Sequence, residues 1–395
     1  MVALFVCASP TFAQSGADPD ADATMRFGPL ALKSTLTLSN VGVDKNVFNQ
    51  ADAEKPQSDF TLTFTPTTNV WLRMGRTWFS GIIKVDWVYY NRFATERSAN
   101  GTYTAGVTRT FNRLSLRGNA GHIGTRERPG FEIDARSQRV ENSSDAEVSL
   151  RTLSRTYLGI RAAQRHVSFN QGAVFLGVSL AEELNRTSTG TAFLVRHEMT
   201  PLTTLSLEIS RDNEQFELSP DRNADSTRVA GRAVFQPLAV VNGFALVGYR
   251  RFTPVHGDVP PYRGVVADVG LSYSLRGSTK LSVSIGRDVQ HSFHDNEPYY
   301  VDTGITGSVQ QQVYRSFDVL ARMGTRRLAY RNRTGAAVPL SNRTDIGRTF
   351  ALGAGYRLGS DKRVGFLVER QRRGSDVERD RYSGLRFGFS LTYET

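Results

Sequence analysis

Alternation of apolar and polar residues is the dominant pattern of this chain, and it is clearest between Val265 and Asp288. In the first half, apolar residues occupy every odd position: Val265, Ala267, Val269, Leu271, Tyr273 and Leu275. Turn-forming residues 276–279 follow, and the alternation then resumes with Leu281, Val283 and Ile285. This pattern predicts an amphipathic antiparallel hairpin. Its strands are longer than the typical ~5–6 residues and match the roughly 9–11 residues of a tilted membrane-crossing strand.

The same alternation continues along the chain and predicts eighteen strands. They cover residues 30–41, 60–74, 79–89, 99–111, 114–125, 140–152, 155–168, 186–199, 203–213, 225–236, 243–253, 263–275, 279–291, 297–311, 315–330, 343–357, 362–373 and 380–394. Short turns alternate with long polar connections, which is typical of an up-and-down barrel with short turns in the periplasm and long loops outside. We therefore predict an all-β protein, a transmembrane antiparallel β-barrel of about eighteen strands over residues 30–395.

Three local features qualify this prediction. Pro66 lies inside the second strand, where we expect a bulge or a bend because the alternation is unbroken on both sides. Segment 169–185 is too apolar for a solvated outer loop, so either it folds into the mouth of the barrel or strand eight begins earlier. The strand ends carry aromatic residues that predict two girdles at the membrane interfaces. Those at the long-loop end are Tyr89, Phe93, Tyr249, Tyr299 and Tyr330, and those at the short-turn end are Phe79, Phe111, Phe235, Phe244, Tyr273, Phe317 and Tyr356.

The N-terminus has the character of an export signal. An apolar core at 2–6 precedes small residues up to Ala13, although the usual basic region is missing. We expect a signal peptide at residues 1–13 and a flexible periplasmic lead-in at 14–29. Cys7 is followed by no other cysteine, so the mature chain would form no disulfide bond.

If the apolar parity faces lipid, the polar parity lines the lumen. The basic residues of that face are Arg117, Arg151, Arg161, Arg228, Arg232, Arg322 and Arg386. The acidic residues are Asp145, Glu147, Glu208, Asp268, Asp288, Asp302, Asp318 and Glu369. Interleaved charges predict a wet interior, and a barrel of this size is wide enough to hold water or a large solute. For any single residue, pairing across strands that keeps the wall rigid is the simpler interpretation.

The formal net charge is +11, and the excess is mostly arginine. Guanidinium groups bind carboxylates and phosphates bidentately, which suits acidic glycans or lipopolysaccharide. The arginines are scattered, without a basic arm or a recognition motif, so nucleic acid is not an expected partner.

The sequence offers little that indicates catalysis. His291 and His294 form an HxxH with nearby carboxylates, but they stand in a short outer connection, so we expect no metal site. Nucleophile-elbow, P-loop and dinucleotide fingerprints are missing, and the other histidines show no triad spacing. We therefore expect no catalytic residues, no cofactor and no enzymatic activity.

Several segments resemble a family of outer-membrane β-barrel porins that accompany exopolysaccharide export systems. The resemblance rests on residues 43–48 (VDKNVF), 126–132 (RERPGFE), 287–289 (RDV) and 298–301 (PYYV). It implies passage of a secreted polysaccharide, and a periplasmic export component as a partner.

The leading hypothesis is a channel in the outer membrane of a Gram-negative bacterium that passes a polar or anionic exopolysaccharide. In this hypothesis, arginines such as Arg117, Arg161 and Arg322 attract its carboxylates. The alternatives are a general diffusion porin for small polar solutes, or a plugged barrel with a structural or surface-binding role. We also expect contact with outer-membrane lipid, lipopolysaccharide and the barrel-assembly machinery.

Overall fold

The computed structural model describes residues 20–236, 239–336 and 343–394, and within these ranges it consists of eighteen long strands. The strands are β1 (Leu30–Asp44), β2 (Asp59–Met74), β3 (Thr77–Tyr90), β4 (Ser98–Thr110), β5 (Leu114–Thr125), β6 (Arg139–Leu153), β7 (Thr156–Phe169), β8 (Arg186–Thr200), β9 (Thr203–Phe216), β10 (Ala224–Phe235), β11 (Val241–Pro254), β12 (Tyr262–Leu275), β13 (Thr279–His291), β14 (Tyr299–Tyr314), β15 (Phe317–Arg331), β16 (Thr344–Leu358), β17 (Lys362–Gly374) and β18 (Tyr382–Glu394). The signal peptide predicted at 1–13 lies outside the described residues.

Each strand pairs antiparallel with its neighbours in the chain, and β1 also pairs with β18. The sheet is therefore closed, which leaves no long strand with an unpaired edge. Short turns and long loops alternate around it, as in outer-membrane barrels, where the long loops face outside. The predicted transmembrane up-and-down β-barrel is confirmed.

The apolar parity faces outward. Ile160 is 65% exposed and Leu352 is 69% exposed, whereas Thr61 and Thr63 on the opposite parity of β2 are buried. An isolated soluble domain would bury such a continuous apolar surface, but lipid hydrocarbon covers it in a membrane barrel.

The outer face is not apolar throughout, and the girdle prediction is partly wrong. Toward the long loops it is polar on β4–β9, where His122 and His166 point outward, and it becomes basic from β9 to β17. Tyr299 and Tyr330 were expected in the outer girdle, yet they are 1% and 0% exposed. The Tyr299 hydroxyl donates to the Pro260 carbonyl of the loop between β11 and β12, whereas Tyr330 shares the lumen parity of Arg322 and packs against Phe131. Phe244 lies beside Arg232 of the lumen face, with the guanidinium 5.1 Å from its ring.

Of the bulge or bend predicted at Pro66, the bulge is wrong. Phe64 pairs with Trp87 and Thr67 with Lys84, so β2 and β3 keep one register and lose only the pairs at 65 and 66. The irregularity lies in β1, between Leu38 and Gly42, on both of its edges. There Gly42 approaches the backbone of β18 so closely that a Cβ would stand 2.0 Å from the Phe387 carbonyl oxygen, and only glycine fits.

Segment 169–185 folds into the mouth, and β8 begins at Arg186, where the sequence predicted it. The segment forms a two-residue hairpin (Val174–Phe175 with Val178–Ser179) and helix α1 (Leu180–Leu184). The Ser179 hydroxyl accepts from the Glu182 amide and caps α1. No helix of the described residues is long and apolar enough to span a membrane.

At the other end of the barrel, part of the predicted lead-in is ordered against β1. Met25–Phe27 pairs antiparallel with Leu30–Leu32. Gly28, at φ 60°, makes the turn between them.

Candidate functional site: the lumen and the loop that crosses it

Carboxylates of the lumen wall hold most of the arginines that the sequence placed there. Glu208 on β9 accepts from Arg161 of β7 at 2.9 Å and from Arg228 of β10 at 2.8 Å. Arg322 of β15 donates to Glu369 of β17 at 2.7 Å. The Arg161–Glu208 and Arg322–Glu369 pairs each span an intervening strand on the inner face, whereas Arg228–Glu208 joins the neighbouring strands β9 and β10.

Five further pairs bring in residues that the sequence prediction did not include. They are Glu147 with Arg196 at 2.8 Å, Asp288 with Arg250 at 2.9 Å, Asp302 with Arg326 at 3.1 Å, Asp318 with Arg363 at 2.6 Å, and Arg386 with Asp44 at 2.8 Å. Four of the missed residues, Arg196, Arg250, Arg326 and Arg363, fall on the polar parity of their strands, so that parity was the available signal. These residues therefore line much of the wall as paired charges.

The remaining predicted lumen residues lie on the same face in other settings. Arg117 stands directly opposite Glu147 in the β5–β6 register, and Asp145 accepts from the Asn119 amide at 2.9 Å. Asp268 lies on β12 opposite Leu246 and Gly286, and Arg232 lies on β10. Arg151 lies at the short-turn end and donates to the Asn112 carbonyl at 3.3 Å.

The connection between β5 and β6, residues 126–138, leaves the wall and crosses the lumen; we call it the crossing loop. On its near side the crossing loop bonds to the loop between β1 and β2 and to the loop between β3 and β4. Arg128 donates to the Val47 carbonyl at 2.7 Å, and the Asn49 amide donates to Asp134 at 2.7 Å. Arg136 pairs with Glu96 at 2.9 Å.

The same loop contacts the opposite wall. Asp134 pairs with Arg373 of β17 at 2.8 Å, and Phe131 lies under the guanidinium of Arg326 of β15 at 3.9 Å. The Ser292 hydroxyl, in the loop between β13 and β14, donates to Glu132 at 2.5 Å. Since β15 is nine strands from β6 in an eighteen-strand barrel, the loop reaches across the full width of the mouth.

Arg373 is the main junction between the wall and the crossing loop. Its guanidinium donates to Asp134, to the Glu132 carbonyl at 3.2 Å and to Asp345 of β16 at 2.6 Å. Asp345 is fully buried and also accepts from Arg343 at 2.8 Å. Breaking a buried ion pair of this kind by removing one partner typically costs about 3–5 kcal/mol.

Glu132 is a titratable residue of the crossing loop, at the point where the loop contacts Ser292 and Arg373. Burial raises the pKa of Glu132 to about 7, against the opposing effect of the Ser292 hydroxyl, the Arg373 guanidinium and the Phe293 amide. Near neutral pH its carboxyl group therefore changes charge, at a point where the crossing loop meets the far wall.

An apolar cluster supports the loop from the side of β7 and β8. The mouth cluster consists of Ile133, Val167, Phe169, Leu180, Ala181, Leu184 and Phe293. Ile133 belongs to the crossing loop and Leu180 to α1, so the two inserted segments pack on one another. Arg222, which is 3% exposed, pairs with Glu183 of α1 and donates to the Pro298 carbonyl at 3.0 Å.

The HxxH residues lie apart. The imidazole of His291 is 2.6 Å from Glu214 on β9, whereas His294 stacks on Phe293 with ring centroids 3.9 Å apart. Burial lowers the pKa of His294 to about 4. Within the described ranges, no group of three or more metal-ligating side chains comes together.

Comparison with known proteins gives a family and a fold. The model of the family described as "Putative beta-barrel porin 2" matches residues 18–395. A BenF-like porin from Pseudomonas fluorescens Pf-5 is similar in structure, with 10% identity, a TM-score of 0.51, and coverage of 93% of this chain and 99% of that chain. At this identity the likeness shows the fold alone.

Two Pseudomonas aeruginosa structures are similar at lower scores, from which we draw no conclusion. OccK2 (OpdF) in complex with glucuronate has 12% identity, a TM-score of 0.49, and coverage of 92% and 97%. OpdK has 11% identity, a TM-score of 0.48, and coverage of 92% and 98%. No curated protein matches this chain.

Proposed function

Since this chain belongs to the family described as "Putative beta-barrel porin 2", and is a porin-like channel of the Gram-negative outer membrane, we propose that it passes small polar solutes. The observation that carries the proposal is the crossing loop, which is bonded to both sides of the mouth. A segment anchored in this way divides the entrance into narrower openings. Small solutes pass beside it, whereas a polymer chain would have to displace it.

The chemistry of the lumen supports a polar cargo of small size. Paired charges such as Arg161–Glu208 and Arg322–Glu369 offer hydrogen-bond donors and acceptors to a hydroxylated solute. They bind weakly because each charge already has a partner, and weak binding allows release on the other side. A strong preference for anions would require arginines without such partners.

Passage of an exopolysaccharide, which the sequence resemblance implied, would require the crossing loop to move. The crossing loop would have to leave both Asp134–Arg373 and Glu132–Ser292, the contacts that hold it on the far wall. No contact among the described residues favours that displaced state. We therefore propose passage of small solutes, and treat passage of a polymer as the alternative that the experiment below tests.

Liposome swelling tests the proposal directly. Purified protein reconstituted in liposomes is exposed to monosaccharides, disaccharides and longer oligosaccharides at equal osmolarity. We expect fast swelling with the smallest sugars and a steep fall with size. Equal swelling across the series would indicate a polymer-sized pore, and swelling at the rate of protein-free liposomes would indicate a plugged barrel. Either result would overturn the proposal.

A further inference from the structure

The outer wall from β9 to β17 carries a series of arginines near its long-loop end, which we call the basic arc. Its members share the parity of the outward apolar residues on their own strands: Arg211, Arg251, Arg263, Arg287, Arg327, Arg348, Arg370 and Arg372. For example, Arg211 follows Ile209 on β9, and Arg348 precedes Phe350 on β16. These guanidinium groups face the membrane side of the wall and not the channel.

Almost no carboxylate of the outer wall lies near the arginines of the basic arc. On the outward face of β9–β17, Asp225 is the one carboxylate of the described residues, and it lies 3.8 Å from Arg211. No other arginine of the arc has a carboxylate partner among the ion pairs of the described residues. In the lumen, by contrast, Arg161, Arg228 and Arg322 are all paired.

Two pairs of these arginines stand directly opposite one another. Arg251 faces Arg263 across β11 and β12, and Arg348 faces Arg372 across β16 and β17. Residues in such positions have Cβ atoms ~4.5–5.5 Å apart, and like charges there are destabilising. An anion that bridges the two guanidinium groups would remove the repulsion, and the fold supplies none.

The height of the arc places it at a membrane interface. On β16, ten residues separate Arg348 from Leu358 at the short-turn end. At ~3.4 Å per residue and a tilt of ~40°, they span about 26 Å along the membrane normal, the height of the apolar band of an outer-membrane barrel. The arc therefore lies at the outer boundary of that band.

We propose that the basic arc binds the phosphate groups of lipid A in the lipopolysaccharide of the outer leaflet. Lipid A carries its phosphates on the sugars directly above its acyl chains, which is the level of the arc. The planar fork of a guanidinium group matches a phosphate bidentately, and two facing arginines can hold one phosphate between them. This binding is independent of the solute that the channel carries.

Native mass spectrometry of the detergent-solubilised full chain tests the proposal with bisphosphorylated lipid A as the probe. Two double variants remove the facing pairs, R348Q with R372Q and R251Q with R263Q. We expect each to lower lipid A affinity by roughly 10- to 30-fold, from the attraction of each cation for an anionic lipid surface. As a matched control, R109Q with K362Q removes two outward cations at the short-turn end and should leave the affinity unchanged.

A comparison of two forms of lipid A on the unaltered protein keeps the test valid even if the variants fail to fold. Dephosphorylated lipid A should bind at least tenfold more weakly than the bisphosphorylated form, by the same electrostatic argument. Inorganic phosphate at the same concentration should not displace it, because the acyl chains contribute to binding. The proposal is overturned if both forms of lipid A bind equally, or if the control and arc variants lose the same affinity.

Discussion

Replacing Asp134 with alanine should loosen the crossing loop both from Asn49 on its near side and from Arg373 on the far wall, and open the channel more often. Asp134 accepts from Asn49 at 2.7 Å and from Arg373 at 2.8 Å. Both bonds are charge-assisted, and the Asp134 side chain is only 16% exposed while that of Arg373 is 5% exposed, so water screens them little. Two such bonds contribute about 3 kcal/mol at the low end of the usual range. We use the low end because Arg373 keeps Asp345 as a partner.

A change of about 3 kcal/mol shifts the ratio of displaced to anchored loop by about 150-fold. Single-channel recording in planar bilayers at neutral pH should therefore show longer or larger open levels for D134A than for the unaltered protein. D52A is the matched control, because Asp52 is an exposed acid of the same mouth whose side chain makes no recorded contact with the crossing loop. Identical open levels and dwell times in D134A and the unaltered protein would refute the anchoring argument.

Three further changes test other parts of the site. Burial raises the pKa of Glu132 from 4.5 to about 7, so the anchored loop holds a proton that the released loop gives up. Anchoring is therefore strongest below about pH 4.5 and weakens as the pH rises to about 7, and conductance should rise over the same range. E132Q should abolish this pH dependence, and a pH-independent native channel would contradict it. E208Q leaves Arg161 and Arg228 without their carboxylate, so the reversal potential in a salt gradient should shift toward anions; an unchanged potential would contradict the paired-wall interpretation. Arg222→Ala removes the buried partner of Glu183 and the donor to the Pro298 carbonyl. Breaking such an ion pair costs about 3–5 kcal/mol, so limited proteolysis should cut the mouth loops faster while the barrel stays folded.

Period-two alternation was sufficient to predict the strands because each strand of a membrane barrel meets lipid on one side and water on the other. Even the start of β8 at Arg186 follows from it. The same rule would have placed Arg348 on the lipid side, since it shares the parity of Phe350. The sequence prediction named only charged residues of the polar parity, so it left out the arginines that share the apolar parity of their strands.

The crossing loop could not be predicted, because nothing local marks its contacts. Glu132 and Ser292 are separated by 160 residues, and the residues between them carry no pattern that brings the two together. Tyr299 illustrates the same limit. Strand-end position predicts an interfacial aromatic residue, but loops that fold inward decide whether lipid or protein covers it.

The most direct test of the account is polymer exclusion during single-channel recording of the unaltered protein. Polyethylene glycols of increasing size are added on the side of the long loops, and the conductance of the open level is measured with each. We expect discrete openings whose conductance falls with the smallest polymers and recovers fully once the polymer is too large to pass beside the crossing loop. Conductance that is still reduced by the largest polymers, or no openings at all, would contradict a channel for small polar solutes.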